Sequence, residues 1–453
     1  MRRRRREVDA VTITATESTP EADSMADEGG PVGSFASPVR ATIGLAQAVA
    51  LYLGAILGAG VLILPGVTAS EAGPAAILSW TFVAILGLPL ALTFARLAKR
   101  SPDAGGVAAF ARAAFGDAAG AVSGWWFFIA GSIGQAIVPL TGAYYTTAAL
   151  GWGRLGTFAI AAAILAVASA LNVVGLHVGA RVQLALAFAV GAVLVVAIAT
   201  AIPHASMANL HPFFPNGTGA VMTAAIPLFY AFAGWEVITH LSAEFRNPNR
   251  DLVLGTLLTV GIVAFLYVGV CFAVVATHAY GDDSANRVAV TSLLTPLLGT
   301  WAAKATAVIA AVIALGTTNA YIGGTSRLGY SLGRDNVMPP WIGRLAAGGV
   351  PVRSVLTVSL IAGGSLAALG ASGGNAEDIL FIPAALVVAT YLMSMAAGAK
   401  LLSGGARLTA LIALLPCIVV LFYLGTRILV PVLVGIAALG QWKRRSTMSG
   451  NGN

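Results

Sequence analysis

Twelve apolar runs separated by short polar segments are the feature that most constrains how this chain folds. A helix that crosses a bilayer needs about 20 predominantly apolar residues, and within hydrocarbon its backbone groups must be paired internally. The sequence therefore predicts an all-α integral membrane protein with about twelve transmembrane helices. The predicted spans are 42–69, 74–97, 118–149, 155–175, 182–202, 219–241, 252–277, 303–326, 354–371, 379–399, 408–424 and 427–441.

The last two spans are separated from each other by a weak boundary. The stretch 408–439 is interrupted only by Gly425, Thr426 and Arg427, so it is too long for one crossing and short for two. A hairpin keeps the basic residues 443–445 on the same side as most other basic residues, whereas a single crossing does not. We therefore predict a hairpin.

The distribution of basic residues predicts the orientation, because cytoplasmic loops of membrane proteins carry an excess of Lys and Arg. With the N-terminus inside, the outer segments hold only Arg154, Arg287, Lys304 and Arg427. The inner segments hold Arg2 to Arg6, Arg40, Arg96, Lys99, Arg100, Arg112, Arg181, Arg246, Arg250, Arg327, Arg334, Arg344, Arg353, Lys400, Arg407, Lys443, Arg444 and Arg445. This predicts a multi-pass protein of the cytoplasmic membrane with both termini in the cytoplasm.

The formal charge of +8 is thus a topology signal and does not indicate a nucleic-acid partner. Only 10% of residues are charged, against about 25% in soluble proteins, and the two cysteines lie inside apolar runs. The sequence shows no nucleotide-binding loop, metal-ligand cluster or nucleophile elbow. We therefore predict no catalytic residue, cofactor or metal, and no enzyme activity.

The predicted spans divide the chain into two five-helix halves and flanking segments. The predicted boundaries are a disordered cytoplasmic tail at 1–40, a first repeat at 41–202, an outer loop at 203–218, a second repeat at 219–400, two further helices at 401–442 and a cytoplasmic tail at 443–453. The arginine run near the N-terminus is followed by acidic residues and by no apolar segment, so it does not form a signal peptide.

The first span contains three glycines within seven residues, Gly54, Gly58 and Gly60. Glycine weakens a helix interior. One interpretation is a packing face in which Gly54 and Gly58 admit a neighbouring helix. The other is an unwound stretch, whose second half-helix directs unpaired N–H groups and the positive end of its dipole at an anionic group.

The sixth span has a similar weak point at Gly234, within Tyr230-Ala231-Phe232-Ala233-Gly234-Trp235-Glu236. It begins the second half of the chain as the first span begins the first half. Two interrupted helices at matching places indicate an inverted repeat with a binding site between them.

Three ionisable residues follow this weak point at spacings of four: Glu236, His240 and Glu244. That spacing places them on one helix face. Acids within membrane helices are functional candidates, and histidine titrates near neutral pH. We predict a proton relay through the three; the alternative is that His240 and Glu244 approach the inner surface and are simply hydrated.

Several motifs resemble those of the amino acid–polyamine–organocation permeases. GAILGAGVLILPG at 54–66 resembles the first-helix motif of that family, and YAFAGWE at 230–236 its sixth-helix motif. NAYIGGTSRLGYSLGRDNVMPP at 319–340 resembles the end of its eighth helix. NVVGLHVGARVQ at 172–183 and SPDAGGVAAFARAAFG at 101–116 resemble two of its inner loops.

The resemblance implies a LeuT-like fold, in which two inverted five-helix repeats (5+5) with discontinuous helices 1 and 6 precede two C-terminal helices. It also implies a substrate site at the two breaks. The carboxylate would be bound by N–H groups near Gly58, Ala59, Gly60 and Val61. The ammonium would be bound by carbonyl groups of Ile56, Tyr230 and Ala233, beside Gly234. Tyr230 would occlude the site, and Tyr321 would close the side-chain pocket.

A narrower resemblance concerns GWEVITHLSAEFRNPNRD at 234–251, which is similar to a segment of bacterial methionine and branched-chain amino acid exporters. It implies efflux of Met, Leu, Ile and Val, by export or antiport. Protons as the coupling ion are indicated by Glu236 and His240 on the sixth span and not by this resemblance. Some relatives carry a lysine in helix five in place of sodium, and the span 182–202 has none. The alternatives are a proton-coupled uptake permease and a non-transporting membrane sensor or scaffold.

Overall fold

The computed structural model describes residues 44–100, 106–176, 180–236, 248–346 and 348–450, and no β-strand occurs in these ranges. The predicted N-terminal tail at 1–40, His240 and Glu244 lie outside them. The helices are α1 Leu45–Ile56, α2 Gly60–Ala72, α3 Ala76–Arg100, α4 Gly106–Phe115, α5 Asp117–Leu150, α6 Arg154–Val173, α7 Ala180–Ala201, α8 Gly219–Ala231, α9 Pro248–Ala276, α10 Asp283–Arg287, α11 Ala289–Leu298, α12 Ala302–Arg334, α13 Val352–Ser372, α14 Ala376–Leu401, α15 Gly404–Tyr423 and α16 Leu429–Gly450.

The helices confirm the predicted all-α membrane fold. Within the described ranges, ten continuous helical stretches are long and apolar enough to cross a bilayer. One of them, Gly60–Arg100, includes both α2 and α3, which are joined by a 3-10 turn. The shorter helices α1 and α8 belong to the first and sixth predicted spans, so each of the twelve predicted spans contains a helix within the described residues.

The C-terminal hairpin is also confirmed. A 3-10 turn at Gly425–Ile428 separates α15 from α16, and the guanidinium of Arg427 lies 3.5 Å from the centroid of the Phe381 ring. The indole nitrogen of Trp126 donates a 2.7 Å hydrogen bond to the carbonyl oxygen of Pro431, which fixes α16 against α5. The helix α16 continues to Gly450, beyond the predicted end at 442.

Helices α5 and α12, the third and eighth crossings, form the central packed pair. A β-carbon at Gly142 would lie 2.8 Å from the Ala314 β-carbon, and one at Gly131 would lie 2.6 Å from Thr325 Oγ1. The two helices approach this closely because glycine removes the side chain at each contact. This pair supports the face against which the broken helices lie.

At one end of the bundle, α10 packs on α2, the second half of the first crossing. A β-carbon at Gly66 in α2 would overlap the backbone carbonyl of Asn286, so the two segments are in backbone contact. Arg287 holds α10 in place through ion pairs with Glu377 at 2.9 Å and Asp283 at 3.1 Å. The neighbouring negative charge of Glu377 raises the pKa of Arg287, although burial of the guanidinium acts in the opposite direction.

At the opposite end of the bundle, the contacts involve basic residues that the sequence assigns to the inner segments. Arg112 lies 3.8 Å from Asp335, and the Lys400 ammonium lies 5.2 Å from the centroid of the Phe115 ring. Arg287 and Arg427, assigned to the outer segments, lie at the other end. Among the described residues, these two pairs of basic residues therefore lie at opposite ends of the bundle.

Candidate functional site

The first crossing is interrupted, as the three glycines predict. Helix α1 ends at Ile56 and α2 begins at Gly60, so Leu57, Gly58 and Ala59 form the break. The backbone leaves the helical conformation at Leu57, where ψ is 72°. The first N–H groups of a helix have no partner within it, so those of Gly60 and the residue that follows it point into the break.

The helix of the sixth crossing ends at the predicted place and continues as a turn to Glu236, the last residue described there. Helix α8 ends at Ala231, and the amide of Phe232 donates the last helical bond, 2.8 Å, to the carbonyl of Leu228. Gly234 has a φ of +135°, which glycine adopts without strain and other residues avoid. The amide of Ala233 donates to the Tyr230 carbonyl at 3.2 Å.

The structure brings the two breaks into contact. A β-carbon at Gly234 would lie 3.0 Å from the Ala55 carbonyl oxygen and 3.1 Å from Ile56 Cγ1. One at Gly60 would lie 3.7 Å from the Ala231 β-carbon. The end of α1 therefore meets the turn of the sixth crossing, while the start of α2 faces the end of α8.

Three consecutive carbonyl groups at the end of α1 accept hydrogen bonds from side chains on three other helices. Their donors are Gln183 Nε2 to Gly54 at 3.0 Å, Tyr321 Oη to Ala55 at 3.3 Å and Tyr267 Oη to Ile56 at 2.8 Å. Tyr145 Oη makes a similar 2.7 Å bond to the Leu62 carbonyl in α2. The three bonds to α1 satisfy backbone groups that the break leaves without a helical partner, which is required at this depth.

The two aromatic residues assigned to the site lie beside it. Tyr321 is half-buried on α12 and donates to the last turn of α1, so it borders the first break. Tyr230 is half-buried at the end of α8, and its hydroxyl fits against Gly134 of α5, where even a methyl group would overlap it. Gly134 thus sets the position of the predicted gate.

Glu236 is buried, with 4% of its surface exposed. Its Oε2 accepts a 2.6 Å hydrogen bond from Tyr391 Oη on α14 and a 3.1 Å bond from the Gly234 amide. The Tyr391 ring packs edge-on against Phe94, at 5.3 Å between centroids. The carboxyl group therefore links the sixth crossing to α14.

Five residues that contact the two breaks were not predicted from the sequence, namely Gly134, Tyr145, Gln183, Tyr267 and Tyr391. Four of them are polar side chains within membrane helices. Their polarity was the available signal, because a polar group at membrane depth requires a partner.

A multi-pass helical bundle with two adjacent interrupted helices defines the class of secondary transporters. A sequence model of the family described as "Amino acid permease" matches residues 43–440. The chain therefore belongs to the amino acid permease family, within the amino acid–polyamine–organocation superfamily, and is a transporter and not an enzyme.

Individual relatives agree with this assignment. The chain is 35% identical to the uncharacterized amino acid permease YecA of Bacillus subtilis, over 86% of this chain and 93% of the relative. It is 29% identical to the L-methionine/branched-chain amino acid exporter YjeH of Escherichia coli, over 86% of this chain and 93% of the relative. It is 25% identical to the branched-chain amino acid permease BcaP of Lactococcus lactis, over 69% of this chain and 72% of the relative.

Proposed function

We propose that this permease moves neutral hydrophobic amino acids, namely Met, Leu, Ile and Val, out of the cell by alternating access. One observation carries the proposal: the start of α2, at Gly60, lies next to the end of α8, at Ala231. A helix start attracts negative charge and a helix end attracts positive charge. The pair is therefore complementary to the carboxylate and ammonium groups of a zwitterion.

The proposed contacts of the substrate follow from this polarity. The carboxylate is bound by the N–H groups of Ala59, Gly60 and Val61, next to Gly58. The ammonium is bound by the carbonyl groups of Ile56, Tyr230 and Ala233, next to Gly234. The Ile56 carbonyl oxygen already accepts from Tyr267 Oη and from the Gly58 amide, both at 2.8 Å, so the substrate ammonium replaces the Gly58 amide there. Tyr230 acts as the gate and Tyr321 borders the side-chain pocket.

The uncharged surroundings support substrates with uncharged side chains. Among the described residues, the contacts to the two breaks come from backbone, tyrosine hydroxyl, amide and aliphatic groups, apart from Glu236. That carboxyl group already accepts from Tyr391 and Gly234. Burying a charged side chain without its own partner costs several kcal/mol.

Export through the cytoplasmic membrane, with both termini in the cytoplasm, is part of the same proposal. The separation of basic residues along the bundle supports the orientation. The relative whose name describes a methionine and branched-chain amino acid exporter supports the direction and the substrates. A proton-coupled uptake permease remains the second candidate, supported by the relative whose name describes a branched-chain amino acid permease.

Counterflow in proteoliposomes tests the substrate class. Liposomes loaded with unlabelled methionine should accumulate labelled methionine transiently, and internal leucine, isoleucine or valine should replace methionine. Internal arginine or glutamate should drive at least about tenfold less uptake, because a tenfold ratio needs only about 1.4 kcal/mol of the desolvation cost. Protein-free liposomes provide the control.

Equal or greater counterflow with arginine or glutamate would contradict the proposed substrate class. Net uptake of neutral amino acids that requires an inward proton gradient would favour an uptake permease over an exporter. No counterflow with any amino acid, together with no change in thermal stability on adding them, would favour the non-transporting sensor.

A further inference from the structure

One face of α7 forms a buried stripe that is aliphatic except at its first position. Ala187, Val190, Leu194 and Ala197 recur at spacings of three and four, and each has at most 3% of its surface exposed. This spacing is that of one helix face. Gln183 lies one turn before Ala187, on the same face, and is half-buried.

The amide of Gln183 bonds to the end of α1. Its Nε2 donates a 3.0 Å hydrogen bond to the Gly54 carbonyl oxygen. Its Cγ would lie 3.1 Å from a β-carbon on Gly54, so the absence of a side chain there allows Gln183 to cross α1 closely. The first glycine of the motif thus serves a packing contact, while the break itself begins three residues later, at Leu57.

The bonded carbonyl is next to the groups that form the proposed ammonium site. Ala55 follows Gly54 and contacts Gly234, and Ile56 follows Ala55. The Gly54 bond therefore acts on the same last turn of α1 that carries the Ile56 carbonyl, whose own hydrogen bonds come from Tyr267 and the Gly58 amide.

We propose that Gln183 is a positioning residue that holds the last turn of α1 at the substrate site through an uncharged, pH-independent hydrogen bond. The inference rests on the proposed function, because it assigns a role to that same site. A purely structural role is the alternative, in which Gln183 fills space between α7 and α1 and the substrate does not sense its bond.

Among the residues that the structure describes, few groups near this contact titrate. On the helices packed against α7 they are Tyr52 on α1, Tyr267 on α9 and Tyr321 on α12, and α11 carries none. On α7 itself, Arg181 is exposed. A carboxyl group introduced at position 183 therefore adds a titration between about pH 5 and pH 8 that the wild type lacks, and comparison with the wild type removes the contribution of Glu236.

Two substitutions distinguish the roles in methionine counterflow. Gln183→Leu removes the donor and should raise KM about fivefold at every pH, which is the effect of losing one ordinary hydrogen bond. Gln183→Glu donates a hydrogen bond only when its carboxyl group is protonated, and repels the carbonyl when ionised. Its KM should therefore approach that of the wild type at low pH and rise at least about tenfold toward pH 8, relative to the wild type.

Gln441→Glu, near the far end of α16, controls for the addition of a carboxyl group elsewhere. Thermal stability of each purified variant at both pH values separates a change in KM from a loss of folded protein. If the KM values of Gln183→Glu and of the wild type change in parallel with pH while both proteins remain folded, the inference about Gln183 is wrong. The proposed function is unaffected by that result. Absence of wild-type counterflow would contradict the proposed function and this inference together.

Discussion

Gly60→Val should reduce methionine counterflow at least about 100-fold while leaving the protein folded in the membrane. A loss of about 2.7 kcal/mol in the free energy of substrate binding is sufficient for a 100-fold reduction. A β-carbon at Gly60 is already in van der Waals contact with Ala231, at 3.7 Å. The two γ-methyl groups of valine would extend further into the gap between α2 and α8, where we place the carboxylate.

Gly60→Ala is the matched control for this substitution. Its single methyl group meets no atom closer than 3.7 Å, so the variant should fold and retain part of its activity. The measurement is counterflow normalised to the amount of folded protein, with thermal stability as the second readout. Valine and alanine variants with equal, near wild-type flux would remove the first break from the substrate site.

Glu236→Gln should flatten the pH dependence of net methionine flux while sparing exchange. The amide keeps the size of the side chain and can still accept from Tyr391 and the Gly234 amide, but it cannot titrate. We propose that Glu236 takes up and releases a proton as the cavity closes and opens, with His240 and Glu244 passing it toward the cytoplasm. His240→Ala should accordingly shift the pH profile without abolishing binding.

Tyr391→Phe separates coupling from the link between helices. The phenylalanine variant loses the 2.6 Å bond but retains the carboxyl group, so it should keep the pH dependence of net flux even if the protein is less stable. Net flux in Glu236→Gln liposomes that follows the wild-type pH profile would rule out Glu236 as the coupling group. Its function would then be the hydrogen bond to α14.

The crossings and both breaks were predictable because their causes are local. An apolar run of sufficient length forms a membrane helix, and the glycines of the first crossing and Gly234 interrupt helices through their own backbone freedom. The two interpretations of the first glycine motif are both correct in part. Gly54 makes a close packing contact with Gln183, and Gly58 lies within the break.

The hydrogen-bond donors at the site were not predictable, because their partners are distant in sequence. Gln183 is 129 residues from Gly54, and Tyr267 is 211 residues from Ile56. No periodicity or spacing links such pairs, and a lone tyrosine in an apolar helix does not reveal which carbonyl it satisfies. Knowledge of which helices pack together was needed to assign them.

The central claim is that the two adjacent helix breaks bind both charged groups of one zwitterion. Thermal stability of the purified protein tests it with L-methionine, L-methioninamide, which lacks the carboxylate, and 4-(methylthio)butanoate, which lacks the ammonium. Methionine should stabilise the protein in proportion to its occupancy. Each analogue should bind at least about tenfold more weakly, because a charge-assisted hydrogen bond contributes about 1.5–3 kcal/mol. Equal stabilisation by methionine and by either analogue would contradict the claim.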